Sequence, residues 1–487
     1  MNSRTDDKRA LAARGLAAAA ASLLLAGCIT VGPDYQAPAP APVVLQAAAA
    51  PVYSPQSPVA SWWAQFDDPV LEQLVHAALS DNLDLKSALA RVREARAVFV
   101  ERRLDQAPHV TAAGSRERRT GPEPVPDGTR ISRQTYQLGF DAAWELDLFG
   151  RQRRAAEAAH ADLEAEWASL IDAQVLVAAE VARNYFELRG AQKRLAVAER
   201  TLHNLRDTQR LTETRWTLGA GSEQDVQSSR ARLKAIEADL PQLDMAQVSS
   251  RHRLAVLLGQ RPGTLDELLQ PRPLAAFAKA LPIGDTRDLL RRRADVRAAE
   301  RRLAAATARV GVATAELFPR LTLTGFVGFL GGDANGLVNG GNKAWALTPS
   351  LSWAAFDYGS VRARLRARHA QADGVAAEYE KTVLLALEDA ENALARYARQ
   401  QARLLALAGQ AQAAQRAETL AGIRYREGAS DFLALLDAQR TQLAADDALA
   451  LGEAELNVAV VAVYKALGGW GQAPAAPSVA AADAPEP

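Results

Sequence analysis

Few residues in this 487-residue chain have the types and spacing that chemistry demands. Its six histidines are His76, His109, His160, His203, His252 and His369. No two lie three or four residues apart, the spacing that sets two imidazoles on one helical face as metal ligands. Cys28 is the only cysteine, which excludes a disulfide within the chain and a multi-cysteine metal site. Gly219-Ala220-Gly221 joins two helical patterns rather than a strand and a helix, so it is no dinucleotide loop. Enzymatic chemistry has no foothold here, and the chain is expected not to be an enzyme. What remains is one thiol and some charged pairs at helical spacing, such as Asp437 and Arg440.

The thiol has a context. Arg4, Lys8, Arg9 and Arg14 form a basic stretch, and Leu16 to Ala26 an apolar run too short to span a bilayer as a stable helix. The run ends Leu25-Ala26-Gly27-Cys28, small residues directly before the cysteine. This segment resembles a bacterial lipobox. The resemblance implies a lipoprotein signal peptide over 1–27 and a mature chain beginning at Cys28, which carries S-diacylglycerol and an N-acyl group. Two or more acyl chains anchor stably where one does not. Ile29 follows, where an aspartate often retains lipoproteins in the inner membrane, so export to the outer membrane is expected. No other cofactor and no metal are expected. The mature chain would hold 53 basic and 55 acidic residues, and this balance leaves no positive surplus for nucleic acid.

The composition is 48% hydrophobic but only 6% aromatic and rich in alanine, which suits close-packed helices. Residues 28–60 carry Pro33, Pro38, Pro40, Pro42, Pro51, Pro55 and Pro58, the composition of an extended tether. Residues 471–487 are expected to form a disordered Ala/Pro tail. Between them the chain repeats itself. Trp144 matches Trp353, Phe149-Gly150 matches Tyr358-Gly359, Arg215-Trp216 matches Arg424-Tyr425, Gly219 matches Gly428 and Leu258-Gly259 matches Leu467-Gly468, all 209 residues apart. Asp84-Leu85 matches Asp295-Val296, Pro108 matches Pro319 and Gly114 matches Gly325 at an offset of 211. The expected domains are a first repeat over 61–270 and a second over 271–470.

Each repeat has one grammar. A helix comes first, Asp84 to Gln106 or Asp295 to Phe318, with Asp84 and Asp295 as its N-caps and Pro108 or Pro319 as its stop. Two strands follow, at about 109–118 and 135–147, then at about 321–330 and 343–357. Tyr136, Leu138, Phe140, Ala142, Trp144 and Leu146 alternate with polar or small residues, and so do Trp345, Leu347, Pro349, Leu351 and Trp353. Leu321, Leu323, Val327 and Phe329 share one face. Turn-forming residues fill Gly121–Thr129 and Gly331–Asn342. A proline-free helix comes next, over 150–216 or 359–425. Val181, Leu188, Leu195 and Leu202 keep a heptad in the first, and Val383, Ala390, Tyr397, Leu404 and Ala411 in the second, as coiled-coil packing requires. Gly219 or Gly428 ends it, and a return helix runs from Ser222 to Leu258 or from Ser430 to Leu467.

Strands of this length with one apolar face suit a membrane barrel. Four of them cannot close one, since the smallest bacterial barrels have about eight, and an open edge in lipid leaves backbone groups without partners. The expected fold is mainly α with a transmembrane β-barrel: a duplicated hairpin-plus-long-helix repeat. A trimer of it would form a 12-stranded β-barrel and a coaxial periplasmic α-helical barrel.

Four motifs carry a family resemblance over nearly the whole mature chain. They are Cys28-Ile29-Thr30-Val31-Gly32-Pro33-Asp34-Tyr35, Trp144-Glu145-Leu146-Asp147-Leu148-Phe149-Gly150, Arg424-Tyr425-Arg426-Glu427-Gly428 and Leu435-Leu436-Asp437-Ala438-Gln439-Arg440. The chain resembles the TolC-like outer-membrane factor family, in its lipoprotein, NodT-like branch of RND-type multidrug efflux channels. The resemblance implies a homotrimer in outer-membrane lipid, docked on a periplasmic adaptor and an inner-membrane RND-type pump. It also implies a periplasmic gate at Leu433, Asp437 and Arg440, with Ser430 and Ala434 standing where some relatives have a further Arg and Asp. Adaptor contact is expected at the hairpin tips, around Arg215, Leu218, Gly219, Arg424, Glu427 and Gly428. The first repeat sets Val226 or its neighbours, Ser229 and Arg230 roughly opposite the gate residues, so the gate is placed in the second. The function expected is a passive efflux conduit; the alternatives are the exit duct of a type I protein secretion system and a non-conducting coiled-coil lipoprotein. Replacing Cys28 by Ala is expected to abolish incorporation of labelled palmitate, while labelling equal to the unmodified chain would remove Cys28 as the acylation site.

Overall fold

The computed structural model describes residues 29–38, 45–56, 61–122, 130–274, 277 and 279–469. Cys28, most of the expected turn Gly121–Thr129 and the tail 471–487 lie outside them. In chain order the principal elements are β1 (Tyr53–Ser54), α1 (Pro69–Asp81), α2 (Leu83–Leu104), β2 (His109–Pro122), β3 (Arg130–Leu146), α3 (Arg151–Thr217) and α4 (Glu223–Leu257). There follow β4 (Leu281–Pro282), α5 (Ala294–Ala315), β5 (Arg320–Gly331), β6 (Lys343–Ser352), α6 (Tyr358–Arg426) and α7 (Phe432–Ala466).

The repeat divides the sequence in two, but space divides it differently. One compact unit draws on Met1–Pro38, Val92–Ala165 and Ala299–Tyr379, the other on Ala39–Arg91, Glu166–Ala298 and Glu380–Pro487. Each repeat supplies segments to both.

The first unit holds the four-stranded antiparallel sheet, in the order β2-β3-β5-β6. β2 and β3 form a longer hairpin than expected, their ladder running from His109↔Ala143 to Pro122↔Arg130. The two repeats meet at β3 and β5, where Leu138 opposes Phe329, Phe140 opposes Val327 and Trp144 opposes Leu323. β6 adds Trp345 opposite Val327 and Leu351 opposite Leu321, so the apolar rows of three strands share one face. Gly139 and Gly328 oppose each other on the other face. A Cβ on Gly328 would stand 2.3 Å from the Leu138 carbonyl oxygen, and one on Gly139 would stand 2.7 Å from the Phe326 ring, which lies over the pair. The duplication is visible in side chains too. Trp144 Nε1 donates to the Gln106 carbonyl at 2.9 Å and Trp353 Nε1 to the Leu317 carbonyl at 3.1 Å, each two residues before a proline.

The second unit is helical and has a second repeat signature. Asn82, not Asp84, caps α2: its Oδ1 accepts from the Asp84 and Leu85 amides at 2.9 and 3.1 Å. Its Nδ2 donates to the Leu257 carbonyl at the end of α4, 2.8 Å away. In the second repeat Arg293 donates to the matching Ala466 carbonyl at 2.8 Å and is held by Asp295 and Asp389. Asp295 therefore sits in the first turn of α5 rather than capping it. The aspartates stand where an acidic side chain favours a helix N-terminus, and the side chain reaching the return helix comes from two residues earlier. Similarly Asp431, not Ser430, caps α7, accepting from the Ala434 amide at 3.0 Å.

The long helices have 67 and 69 residues, about 100 Å each at 1.5 Å per residue. Their heptads face inward: Val181, Leu188, Ala390 and Tyr397 are fully buried. α4 runs unbroken through Pro241, whose missing N–H and ring clash cost about 3 kcal/mol in a helix interior. Around it Leu240 and Leu243 pack on Ala198, Leu202, Leu205, Leu233 and Ile236, and that burial offsets the loss.

Part of the segment expected to be a tether is built into this unit. β1 pairs in parallel with β4. Trp62 and Trp63 are buried, and Trp62 stacks on Tyr464 at 5.4 Å. Asp68 caps α1 and accepts from the Tyr185 hydroxyl. Replacing Asn82 by Ala removes a cap and strands the buried Leu257 carbonyl, a loss of about 1–3 kcal/mol. The expected result is a lower apparent unfolding midpoint in detergent, whereas Ser80→Ala, at an exposed hydroxyl, should leave it unchanged.

Candidate functional site: tips, closing face and membrane face

The two hairpin tips are built alike, because each must stop a very long helix and turn it back. The Ala220 amide donates to the Arg215 carbonyl at 2.7 Å and the Gly219 amide to the Trp216 carbonyl at 3.0 Å. The Ala429 amide donates to the Arg424 carbonyl at 2.8 Å and the Gly428 amide to the Tyr425 carbonyl at 3.1 Å. This paired closure requires a left-handed residue, and Gly219 and Gly428 have φ of 72° and 74°. Ser222 and Asp225 then form a capping box at the start of α4.

The expected tip residues fall into two groups. Leu218 is 77% exposed, and Gly219, Arg424, Glu427 and Gly428 are also exposed. Arg215 instead joins the tips. Its Nη1 donates to the Tyr425 carbonyl at 3.0 Å and its guanidinium lies 4.8 Å from the Tyr425 ring centre. Tyr425 is buried with Phe432 and Leu435, and burial pushes its phenol above the usual range.

Leu433, Asp437 and Arg440 lie along one face of α7. Leu433 is 52% exposed; Asp437 and Arg440 are paired at 2.7 Å with their side chains 67% and 68% exposed. Within one chain this is a solvated i, i+3 pair of little energetic weight. A residue that the sequence did not single out stands near. Arg232 on α4 is held below the usual arginine range by burial and then by the charge of Arg440. The caps Ser222 and Asp431 fix the offset between the return helices at 209, so the residues matching Leu433, Asp437 and Arg440 are Gln224, Ser228 and Ala231. This corrects the looser pairing with Val226, Ser229 and Arg230. The first repeat has neither a leucine nor a charged residue at these positions.

The lipidation residue Cys28 lies outside the described residues, but the chain just after it is held firmly. The Val31 amide donates to the Phe149 carbonyl at 3.2 Å. Arg154, 5% exposed at its side chain, donates to the Val31 and Gly32 carbonyls and pairs with Asp34 at 2.5 Å and Glu157 at 2.8 Å. Gly32, with φ of 90°, lies so close to Gly311 that a Cβ would stand 2.5 Å from its Cα. The Tyr35 hydroxyl donates to Glu300, and burial and that carboxylate hold its pKa well above the usual range. The signal was in the motif Val31-Gly32-Pro33-Asp34-Tyr35, yet nothing in it names Arg154 as the partner.

On the sheet, the apolar face is open. Trp345 is 78% exposed, and Phe140, Val327, Leu347 and Leu351 are exposed beside it. Among the described residues no helix is long and apolar enough to cross a membrane, and that has no bearing on strands. β2 and β6 are the outer strands, and among the described residues each has one ladder edge unpaired.

This architecture recurs in known proteins. The family model described as outer membrane efflux protein matches residues 74–260 and 286–469. Nodulation protein T of Rhizobium leguminosarum bv. trifolii is 32% identical over 91% of this chain and 96% of its own length. The antibiotic efflux pump outer membrane protein ArpC of Pseudomonas putida is 34% identical over 93% of this chain and 95% of its own. The solved outer-membrane channel OprN superposes with a TM-score of 0.88 at 50% identity, covering 90% of this chain and 99% of that one. Replacing Arg215 by Ala should loosen the joint between the tips. Spin labels at Leu218 and Glu427 are expected to show a broader distance distribution, and an unchanged one would mean that helix packing alone aligns the tips. With its duplicated hairpins, long helices and open four-stranded sheet, the chain belongs to the outer membrane efflux protein family, in its NodT-like branch.

Proposed function

We propose that three copies of this outer-membrane efflux channel close one twelve-stranded barrel, and that their long helices continue it as a periplasmic tube. One observation carries this reading: the four-stranded sheet has an apolar face and two unpaired edges. In hydrocarbon each unpaired backbone group costs several kcal/mol, so β6 of one copy must pair with β2 of the next. Three copies supply twelve strands, enough for a water-filled lumen. The tube is a passive conduit, and its cargo arrives from an inner-membrane pump of the RND type through a periplasmic adaptor that seats on the exposed tip residues. The name of ArpC, an antibiotic efflux pump component, supports small-molecule efflux over protein secretion.

Acyl chains on Cys28 add an anchor to the barrel's own insertion. The rigid seating of Thr30 to Tyr35 would fix where that anchor enters the bilayer. At the periplasmic end Leu433 forms an apolar ring and Asp437 faces Arg440 in a closing set, with Arg232 a further cation close by.

Purified full-length protein should run as a trimer and conduct in planar bilayers; a non-conducting rod would leave only the structural-lipoprotein reading. Asp437→Ala with Arg440→Ala is expected to raise single-channel conductance several-fold. Unchanged conductance would remove the pair from the gate without touching the conduit.

A further inference from the structure

The charges on the sheet are segregated by face. The register places Arg116 and Arg118 on β2, and Lys343 on β6, in the rows that hold Leu138, Phe140, Val327 and Trp345. Among the described residues those rows contain no Asp or Glu; Glu117, Asp141 and Glu145, the carboxylates of the four strands, all fall on the opposite face. There Glu117 pairs with Arg119 at 3.1 Å. Among the described residues neither Arg116 nor Arg118 has a carboxylate partner. The Arg116 guanidinium rests on the Tyr136 ring, 5.6 Å from its centre, and Arg118 Nε donates to the Ser132 hydroxyl at 3.2 Å. All three cations are exposed.

Their height on the sheet is as informative as their face. The apolar rows of β3 run from Leu146 back to Tyr136, and that span at about 3.3 Å per residue and a tilt near 40° gives an apolar band about 25 Å tall. Arg116 lies level with Tyr136, Arg118 one pleat repeat beyond it, and Lys343 level with Phe329. All three therefore sit at the band's edge nearest the hairpin loops, where the strands leave hydrocarbon for headgroups. Tyr136 marks the same level, as aromatic residues do at a membrane interface, and Trp345 lies deeper, level with Phe140.

We propose that Arg116, Arg118 and Lys343 form a binding surface for the phosphorylated headgroups of outer-leaflet lipid. The proposal rests on the barrel reading, which turns the apolar face to lipid and the hairpin loops away from the periplasm. Exposed guanidinium groups at headgroup depth, with no carboxylate on their face among the described residues, match phosphate oxygens, which arginine binds through two parallel N–H donors. In the trimer the surface would recur three times around the rim, once beside each seam between β6 and the neighbouring β2.

The test uses full-length protein in detergent, with diphosphoryl lipid A as the probe and its phosphate-free form as the comparison. Arg116→Gln, Arg118→Gln and Lys343→Gln together should weaken retention of diphosphoryl lipid A about tenfold. Arg119→Gln with Arg133→Gln, on the opposite face, should not. Equal retention by wild type and the triple variant, equal loss in the opposite-face variant, or equal binding of the phosphate-free lipid would each overturn the site. Conductance in planar bilayers is recorded for every variant. A conducting wild type that holds the lipid no better than the triple variant overturns the lipid site alone; a wild type that does not conduct overturns the barrel reading and the site with it.

Discussion

The structure depends on a hydrogen-bonding constraint. A peptide group in hydrocarbon has no water to fall back on, so every strand edge placed there must find another strand. Among the described residues the membrane sheet has four strands, and the outer edges of β2 and β6 have no partner, since no further strand pairs with those edges. The apolar rows of β3, β5 and β6 share one exposed face. Assembly into a closed barrel satisfies edges and face together, and neither alone would be satisfied by a monomer.

Duplication makes that assembly regular. The contact between the repeats at β3 and β5 is already the kind of contact that successive copies need, so one chain contains its own template for a ring. The repeats have diverged where their tasks differ. Asn82 and Arg293 do the same work at the ends of the return helices, but Arg293 needs Asp295 and Asp389 to balance its charge. On the return helices, Leu433, Asp437 and Arg440 stand against Gln224, Ser228 and Ala231. Asymmetry on the return helices is thus written into a nearly symmetric frame, and the charges near Arg440 include Arg232 from the first repeat.

Segments of poor periodicity carry more of the fold than their composition suggests. The proline-rich stretch after residue 28 looks like a free tether. Where it is described, it is threaded between glycines, clamped by Arg154 and paired as β1. Trp62 and Trp63, just beyond it, are buried in the helical unit. Such segments gain their order from surfaces distant in sequence, and periodicity reports only on an element's own faces.

What the sequence determined by itself was whatever repeats locally. Alternation of period two defined the strands, heptads and the lack of proline defined the long helices, and Gly219 and Gly428 marked the turns. A constant offset revealed the duplication. These signals come from backbone geometry acting on neighbours, so one chain's order of residues suffices to show them. The tertiary structure alone decided the partners. It chose Asn82 over Asp84 as a cap, Arg154 as the clamp on the N-terminal segment, Arg215 as the joint between tips, and the continuity of α4 through Pro241. Each of those choices joins residues far apart in sequence or sets a packing energy against a local preference, and no local pattern records that balance.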